Sequence, residues 1–387
     1  MSQETFRLSQ KELQRVAVIA SCVKGDLACA RAAELLDLTP RHVKRLKARY
    51  RLGSAAALAH ASRGRPSHRR LPDAVRERIV GLARSIYAGF NDHHLCEKLV
   101  EREGFSLSRE TLRRLLRKQG LGPPRKRRAP SHRQRRVRSA RLGELVQLDG
   151  SPHDWLEGRG PRLTALGMQD DATGRILAAQ FFSSETAFGY LCLLRQLLRR
   201  HGVPLAFYGD RSGVFVRNDD NWTVEEQLAG KRQPTQFGRA LEQLGITFIA
   251  ARSPQAKGRV ERLWGVLQDR LASELRLAKA HDIDSANAVL RKFTADYNRR
   301  FARQPREQQT AWRAVPESLE RICCFVHERI VSNDNVVQWE GRRFQIPQQA
   351  RRFSFAGAKV QIYQALNGRL SFYYGDTRLE HTAIPGG

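Results

Sequence analysis

The stretch Glu144-Leu145-Val146-Gln147-Leu148-Asp149-Gly150-Ser151 decides how the middle of the chain is read. An apolar run closes on an acid and a glycine, so Glu144 to Gly150 reads as a strand that ends at Asp149. Outward from it, strand-like and helix-like runs alternate. Leu163 to Gln169 is a second strand, and Arg175 to Phe182 a third. Between them Asp170-Asp171-Ala172-Thr173-Gly174 has turn composition, with both acids as turn formers, and the two strands make a hairpin. Thr186 to His201 is a helix with Leu191, Leu194 and Leu198 on one face. Leu205 to Tyr208 is a buried strand just before Asp210, and residues 217–234 are polar enough to be an insertion or loop. Thr235 to Leu244 is a helix and Ile246 to Ala250 a fifth strand. Ser253-Pro254 then opens a long helix whose inner face is Val260, Leu263, Trp264, Leu267 and Leu271, and a further helix runs from about Ser285 to Arg300.

This order of elements over 142–302 resembles the ribonuclease H-like fold, an α/β catalytic core. In that fold the first and fourth strands are neighbours and the last helix packs across their ends. Asp149, Asp210 and Glu261 are therefore expected to converge. Mg²⁺ is held by one or two carboxylates with waters and substrate phosphates. Two such ions about 3.5–4 Å apart can activate an attacking hydroxyl and stabilise a leaving oxygen. The three acids are accordingly both the catalytic and the metal-ligand candidates, for two Mg²⁺ ions with Mn²⁺ as a substitute. Glu242 competes with Glu261, but it falls on the helix before the fifth strand and lacks a Ser-Pro-Gln context. Asp154 and Glu157 read as loop acids.

Here a resemblance becomes specific. The three acids in these contexts look like the Asp-Asp-Glu triad of the transposase and retroviral-integrase superfamily. Ser253-Pro254-Gln255 followed by Gly258, Val260 and Glu261 resembles the glutamate motif of insertion-sequence transposases. More narrowly, the chain is similar to the bacterial ISNCY transposase group. The match rests on Asn91-Asp92 with His94-Leu95 and Glu97-Lys98-Leu99, on Ser108-Arg109-Glu110-Thr111, on the run from Leu148 to Glu157, on Asp170 to Gly174 and on Val331 to Asn335. Two departures stand out. Fifty residues lie between Asp210 and Glu261, more than in the better-known members, and the excess is assigned to 217–234. Ser212 stands where relatives often carry His. The resemblance implies an enzyme that binds the terminal inverted repeats of an element, cleaves DNA and transfers the freed 3′-hydroxyl into target DNA, as a homo-oligomer that pairs two ends.

Charge supplies the other half of the reading. The chain has 387 residues and a net charge of +29. Residues 1–140 hold 33 basic and 12 acidic side chains, against 35 and 27 in the remainder, so a basic half joins a nearly balanced one. Within 1–60, Ser9 and Glu12 make a capping-box pattern, Cys29 to Leu36 is a second helix, and Thr39-Pro40 starts a third. That third helix carries Arg41, His42, Lys44 and Arg45, the layout of a helix-turn-helix whose second helix contacts DNA. The linker 61–71 holds Arg63 and Arg65, suited to a narrow minor groove. Residues 72–120 read as a second unit of the same type, with Arg109, Arg113, Arg114 and Arg117 outward on its last helix. The linker 121–141 carries Arg125, Lys126, Arg127 and Arg128 and no acid from Arg125 to Arg141, so it should track phosphates. Lys257 and Arg259 flank Glu261 and are expected to meet DNA as well. The tail 325–387 has short strands, Arg343 to Ile346, Lys359 to Tyr363 and Arg369 to Tyr374, expected to form a small β-barrel.

No apolar run is long enough to span a bilayer, and MSQETFRLSQ does not read as a secretory signal. The six cysteines contain no Cys-x-x-Cys pair and His93-His94-x-Cys96 lacks a second ligand pair, so reduced thiols and no zinc site are expected. The expectation is a multidomain, cytoplasmic, nucleoid-associated bacterial enzyme: all-α helix-turn-helix units, an α/β core and a β tail. The alternative is a catalytically inactive DNA-binding regulator derived from such an enzyme. A ribonuclease H-type nuclease is a further rival, one that typically needs more acids and no tandem helix-turn-helix.

Overall fold

The computed structural model describes residues 8–60, 70–122, 136–217, 221–251, 258–349 and 352–385. The chain divides into two compact units, Met1–Arg76 and Glu77–Gly387.

In the first unit, helix α1 (Gln10–Lys24) begins at the expected capping box: Ser9 and Glu12 exchange side-chain and backbone hydrogen bonds. The Glu12 carboxylate also accepts from the His60 N–H at 3.0 Å, closing the far end of the unit onto its start. Helix α2 (Cys29–Leu36) ends at Asp37 in the left-handed region, and Thr39 caps α3 (Pro40–Gly53) by accepting from the His42 N–H. A cap of this kind is worth about 1 kcal/mol. Ile19, Cys22, Ala32, Ala33, Val43, Leu46 and Leu58 form the core. Helical phase then leaves Arg41, Lys44 and Arg45 exposed on the other face of α3. Arg49 differs, since its guanidinium turns back to the Ala57 carbonyl.

Helix α4 (Asp73–Arg84) crosses from one unit to the next, and α5 (Asp92–Glu103) and α6 (Arg109–Lys118) follow it. Asn91 caps α5 through the His94 N–H at 2.8 Å, and Ser108 caps α6 through Thr111 at 3.1 Å. Leu112, Leu115 and Leu116 are the buried side of α6, as expected from their spacing.

The centre of the second unit is a five-stranded sheet of β1 (Leu145–His153), β2 (Leu163–Asp170), β3 (Ile176–Phe182), β4 (Ala206–Gly209) and β5 (Thr247–Ala250), in the order β3-β2-β1-β4-β5. The first three are antiparallel, while β4 and β5 run parallel to β1. This is the order expected of a ribonuclease H-like core. Helices α7 (Ala187–His201) and α9 (Gln236–Gln243) share a core with Val146, Leu148, Leu166 and Met168. Helices α10 (Val260–Leu277) and α11 (Ile283–Phe301) pack with Leu163, Ala165 and Phe181. Two covered faces explain why every residue of β2 is buried. The polar stretch expected to be a loop contains one more helix, α8 (Val224–Ala229), begun by a Thr223–Glu226 capping box. The buried Glu226 carboxylate pairs there with Arg217.

Among the described residues the expected barrel of the tail is not found closed. After α12 (Leu319–Ile322), strands β6 (Cys324–Ile330), β9 (Lys359–Ala365), β10 (Leu370–Tyr374) and β11 (Thr377–Leu379) form one sheet. Strands β7 (Val336–Trp339), β8 (Arg342–Gln345) and β12 (Thr382–Ile384) form another. Among the described residues no ladder joins the two. The chain changes sheet at Asn335, which holds a left-handed φ of 57°. Its side-chain oxygen accepts from the Phe355 N–H at 2.6 Å. Asn335 thus forms part of the turn between β6 and β7, whose strands belong to different sheets. The sheets instead share one core through Val337, Phe344, Val360, Ile362 and Phe372.

Helix α5 is fastened to α10 and α11 by buried charge. His94 Nε2 lies 2.7 Å from Glu274, Lys98 Nζ lies 2.8 Å from the same carboxylate, and Arg270 and Arg300 both reach Glu97. Burial alone would raise the Glu274 pKa, but the bonds from His94 and Lys98 outweigh it and hold it at about 2 against an ordinary 4.5. A depressed folded-state value means that this stabilisation is complete above about 4.5 and is lost as pH falls toward about 2. Replacing Glu274 by Gln should therefore lower the melting temperature near neutral pH and flatten its fall over that acid window, as thermal melts across pH will read.

Candidate active site

Strand register places the first two acids. Leu145, Val146 and Gln147 of β1 lie beside Ala206, Phe207 and Tyr208 of β4 in parallel pairing. Two residues further along each chain come Asp149 and Asp210, level with one another. Asp210 lies just past the end of β4, whereas Asp149 lies in the middle of β1, which is held by its pairing with β2 as far as His153 and so does not end at Asp149 as expected. Asp210 Oδ1 accepts from the Ser212 N–H at 3.0 Å, which fixes the turn that leaves β4. Asp149 Oδ2 accepts from the indole N–H of Trp264 at 2.9 Å. The sequence reads Trp264 as a core residue, and it is one, only 5 % exposed. Its ring lies over Gly167, the residue opposite Asp149 on β2, where a Cβ would stand 3.0 Å from the indole. The glycine thus makes room for the ring that reaches the acid.

Two further residues went unread in the sequence. Glu185, just before α7, lies across Gly150, where a Cβ would come within 2.5 Å of its carboxylate. The hydroxyl of the fully buried Tyr190 donates to Glu185 at 2.7 Å. Burial first, then the negative charges of Glu185, Asp149 and Asp210, push the Tyr190 pKa well above its ordinary 10. The phenol stays protonated, with Glu185 as its hydrogen-bond acceptor. Only a glycine at 150 could have hinted at the close approach.

Glu261 lies in the first turn of α10 and is exposed. Val260, Leu263, Trp264 and Leu267 take the buried face of that helix, so helical phase turns Glu261 outward. Among the described residues no group of three or more His, Cys, Asp or Glu is close enough to hold a metal ion. The expected convergence is therefore incomplete: Asp149 and Asp210 are level, and Glu261 does not close a three-ligand cluster with them. The donor chemistry of the pair still suits a hard cation, since one or two carboxylates are what Mg²⁺ usually takes from a protein.

The rival acids have other work. Glu242 is exposed on α9 beside Lys231. Asp154 accepts from the Gly158 N–H, and Glu157 pairs with Arg159 and Arg276. Asp170 is a turn former, accepting from the Thr173 N–H and hydroxyl. Asp171 is not: its side chain is completely buried and meets Arg136, the Ser139 N–H, Gln147 and Arg259. Burial would raise its pKa, but these donors carry it below the ordinary carboxylate value. Arg259 is consequently turned inward.

Of the other expected DNA contacts, Arg41, Lys44 and Arg45 are exposed and His42 is half-buried. Arg109, Arg113 and Arg114 are exposed on α6, the last two shared with Glu110, which their guanidinium groups hold at about 2. Arg117 pairs with Asp92 at 2.6 Å. Arg63, Arg65, Arg125, Lys126, Arg127, Arg128, Lys257 and the Ser253-Pro254-Gln255 motif lie outside the described residues.

Relatives identify the family. The chain is 37 % identical over 391 aligned positions, 97 % of its length and 84 % of the other's, to the transposase-named y4bF protein of Sinorhizobium fredii. The chain belongs to the transposase family. It is also 31 % identical, over 96 % of its length and 86 % of the relative's, to the transposase for insertion sequence IS1202 of Streptococcus pneumoniae. Residues 15–77 of this transposase match the family model described as winged helix-turn helix. Among solved structures, the HTLV-2 integrase catalytic core domain in complex with magnesium (dimeric form) aligns at 16 % identity and TM-score 0.31, covering 44 % of this chain and 95 % of that one. A simian T-cell lymphotropic virus intasome in complex with PP2A regulatory subunit B56 gamma aligns at 14 % identity and TM-score 0.32, covering 80 % and 100 %. Neither likeness is close enough to bear on the fold, which rests on the strand order.

Replacing Trp264 by Phe keeps most of the packing on Gly167 and removes the hydrogen bond to Asp149. Loss of one charge-assisted bond, about 1.5–3 kcal/mol, should lower DNA joining by roughly ten- to a hundredfold. Circular dichroism should stay unchanged, and a gel-based joining assay measures the loss.

Proposed function

We propose that this transposase binds the terminal inverted repeats of its element, cleaves there and joins the freed 3′-hydroxyl to target DNA, with Asp149, Asp210 and Glu261 as its catalytic acids. The observation that carries the reading is the parallel pairing of β1 with β4, which brings Asp149 and Asp210 level with one another. The resemblance of the Leu148–Glu157 run to the ISNCY group, and of the Ser253–Glu261 run to the glutamate motif of insertion-sequence transposases, supports it.

Asp149, Asp210 and Glu261 would hold divalent cations, Mg²⁺ or Mn²⁺, and bound cations supply activation of the attacking hydroxyl and neutralisation of the leaving oxygen. The chain's own residues do the rest. Trp264 orients the Asp149 carboxylate, and Ser212 orients that of Asp210. Glu261 occupies the first turn of α10, and substrate phosphate oxygens would complete the oxygen ligands that such a cation takes.

The helices divide the DNA contacts. Arg41, Lys44 and Arg45 on α3 form the base-reading face of a helix-turn-helix. Arg109, Arg113 and Arg114 on α6, with the basic linkers 61–71 and 121–141, hold phosphates. Their boundaries define the working parts: 1–60 and 72–120 for end recognition, 142–302 for chemistry and 325–387 as the β tail. Joining two ends calls for a homo-oligomer on DNA.

A joining assay with a 3′-hydroxyl end and supercoiled target tests the reading. Asp149→Asn, Asp210→Asn and Glu261→Gln should each reduce joining by about 10³-fold or more, the scale on which charge-stabilising groups act, with end binding unchanged in gel shifts. An Asp149→Asn protein that still joins DNA overturns the assignment. Wild-type protein that binds without cutting is a regulator, and one that cuts without joining is a nuclease. Separately, Arg45→Ala should weaken end binding and lower the slope of log K against log salt by about 1 if Arg45 meets a phosphate.

A further inference from the structure

Among the described residues, helix α10 begins without a local side-chain cap. Arg259, at its N-cap position, is itself in the helical region and supplies no side-chain hydrogen bond to the first turn. The first amides of a helix need partners from somewhere, and here one comes from the sheet. The Val260 N–H donates to Gln147 Oε1 at 3.2 Å, across 113 residues of sequence. Gln147 is two residues before Asp149 on β1, so both side chains leave the same face of the strand.

The other end of the Gln147 amide is fixed in turn. Its Nε2 donates to Asp171 at 2.6 Å, and the same carboxylate receives the guanidinium of Arg259. Asp171 thus ties α10 to β1 by two routes, through Gln147 to Val260 and directly to Arg259. It also gathers the segment that precedes β1. The Ser139 N–H donates to it at 2.9 Å, Arg136 pairs with it, and Arg259 reaches back to the Arg136 carbonyl. A carboxylate with no exposed surface and four donors is a rigid node, because moving any partner leaves a buried charge unmatched.

We infer that Asp171 is a positioning residue for the catalytic reaction: it sets the first turn of α10, and therefore Glu261, against the strand that carries Asp149. The inference rests on the proposed roles of those two acids. It extends to the basic linker, because Arg136, 43 % exposed, stands at the end of 121–141 and holds the same carboxylate. A linker drawn onto DNA therefore ends on the node that fixes Glu261.

Asp171→Asn in the full chain is the test, with Arg259→Gln and Arg259→Lys beside it. Three readouts are needed: end binding by gel shift, joining turnover at saturating end DNA, and hydrogen exchange at amides 260–263 in the free protein. Displacement of a reacting group by about 1 Å can cost 10²-fold in rate. Asp171→Asn and Arg259→Gln should accordingly lower joining turnover by about that much, leave the end-binding constant within about twofold, and speed exchange in the first turn of α10. Arg259→Lys, which keeps the charge, should recover part of the turnover. Unchanged turnover with unchanged exchange in both variants overturns the inference. So does loss of end binding in proportion to loss of joining, which would make the cluster a DNA contact. If Asp171→Asn does not fold, Arg259→Gln decides, since Arg259 leaves Asp171 with Arg136, Ser139 and Gln147. Asp149→Asn runs in parallel: if it joins DNA, the catalytic assignment has failed and the exchange measurement alone judges the positioning role.

Discussion

The ladder between β1 and β4 is the constraint from which the rest of the site follows. β1 sits in the middle of the five-stranded sheet, hydrogen-bonded to β2 on one side and to β4 on the other. Side chains repeat every two residues along a strand, so slipping the β1–β4 pairing by one residue would move Asp149 out of line with Asp210 and turn its neighbours to the wrong face. The two cores pin that register: Val146 and Leu148 can be buried against α7 and α9 only in this pairing. Hydrophobic burial thus works with the β1–β4 ladder to fix the register on which the two acids depend. The glycines follow from it as well. Gly167 and Gly150 stand at the level of the acids because an indole and a carboxylate pass over them.

What was legible in the sequence was local. The capping patterns at Ser9, Thr39 and Ser108 depend on residues three apart, and each appears as read. The order of strands and helices in the core follows from periods of two and 3.6 and from apolar runs that end in acids. What escaped is long-range. Asp171 has turn composition, and its partners Arg136, Ser139, Gln147 and Arg259 lie up to 88 residues away. No local pattern distinguishes it from Asp170, which really is a turn former. Trp264 was visible as core, but its N–H pointing at Asp149 depends on the crossing of α10 over β2. The tail shows the same limit. Short alternating strands were correctly placed, yet whether their edges close into a barrel depends on turns such as the one at Asn335.

Charge proves less uniform than its total suggests. Much of the arginine excess in the second unit is spent on carboxylates of the same unit: Arg270 and Arg300 on Glu97, Arg113 and Arg114 on Glu110, Arg136 and Arg259 on Asp171. The least exposed of them, Arg259 and Arg270, add to the arginine count without being available to a polyanion, whereas Arg113, Arg114 and Arg136 keep much of their surface exposed. The cations of α3 differ, since Arg41, Lys44 and Arg45 stand exposed on the side away from their core. Attraction to DNA is therefore concentrated in a few surfaces, and salt will weaken those surfaces far more than the buried pairs.

Helix α10 spans eighteen residues without a break, a rod of about 27 Å at 1.5 Å per residue. Glu261 sits in its first turn, and Arg270 and Glu274, which clasp α5, sit in its second half. A rod of this kind transmits torque. Rolling α5 across it by one residue would turn the near end through about 100°, so the two ends cannot be adjusted separately. Helix α5 and Glu261 are therefore tied to one continuous element, and changes at the clasp will tend to be selected together with changes at the site.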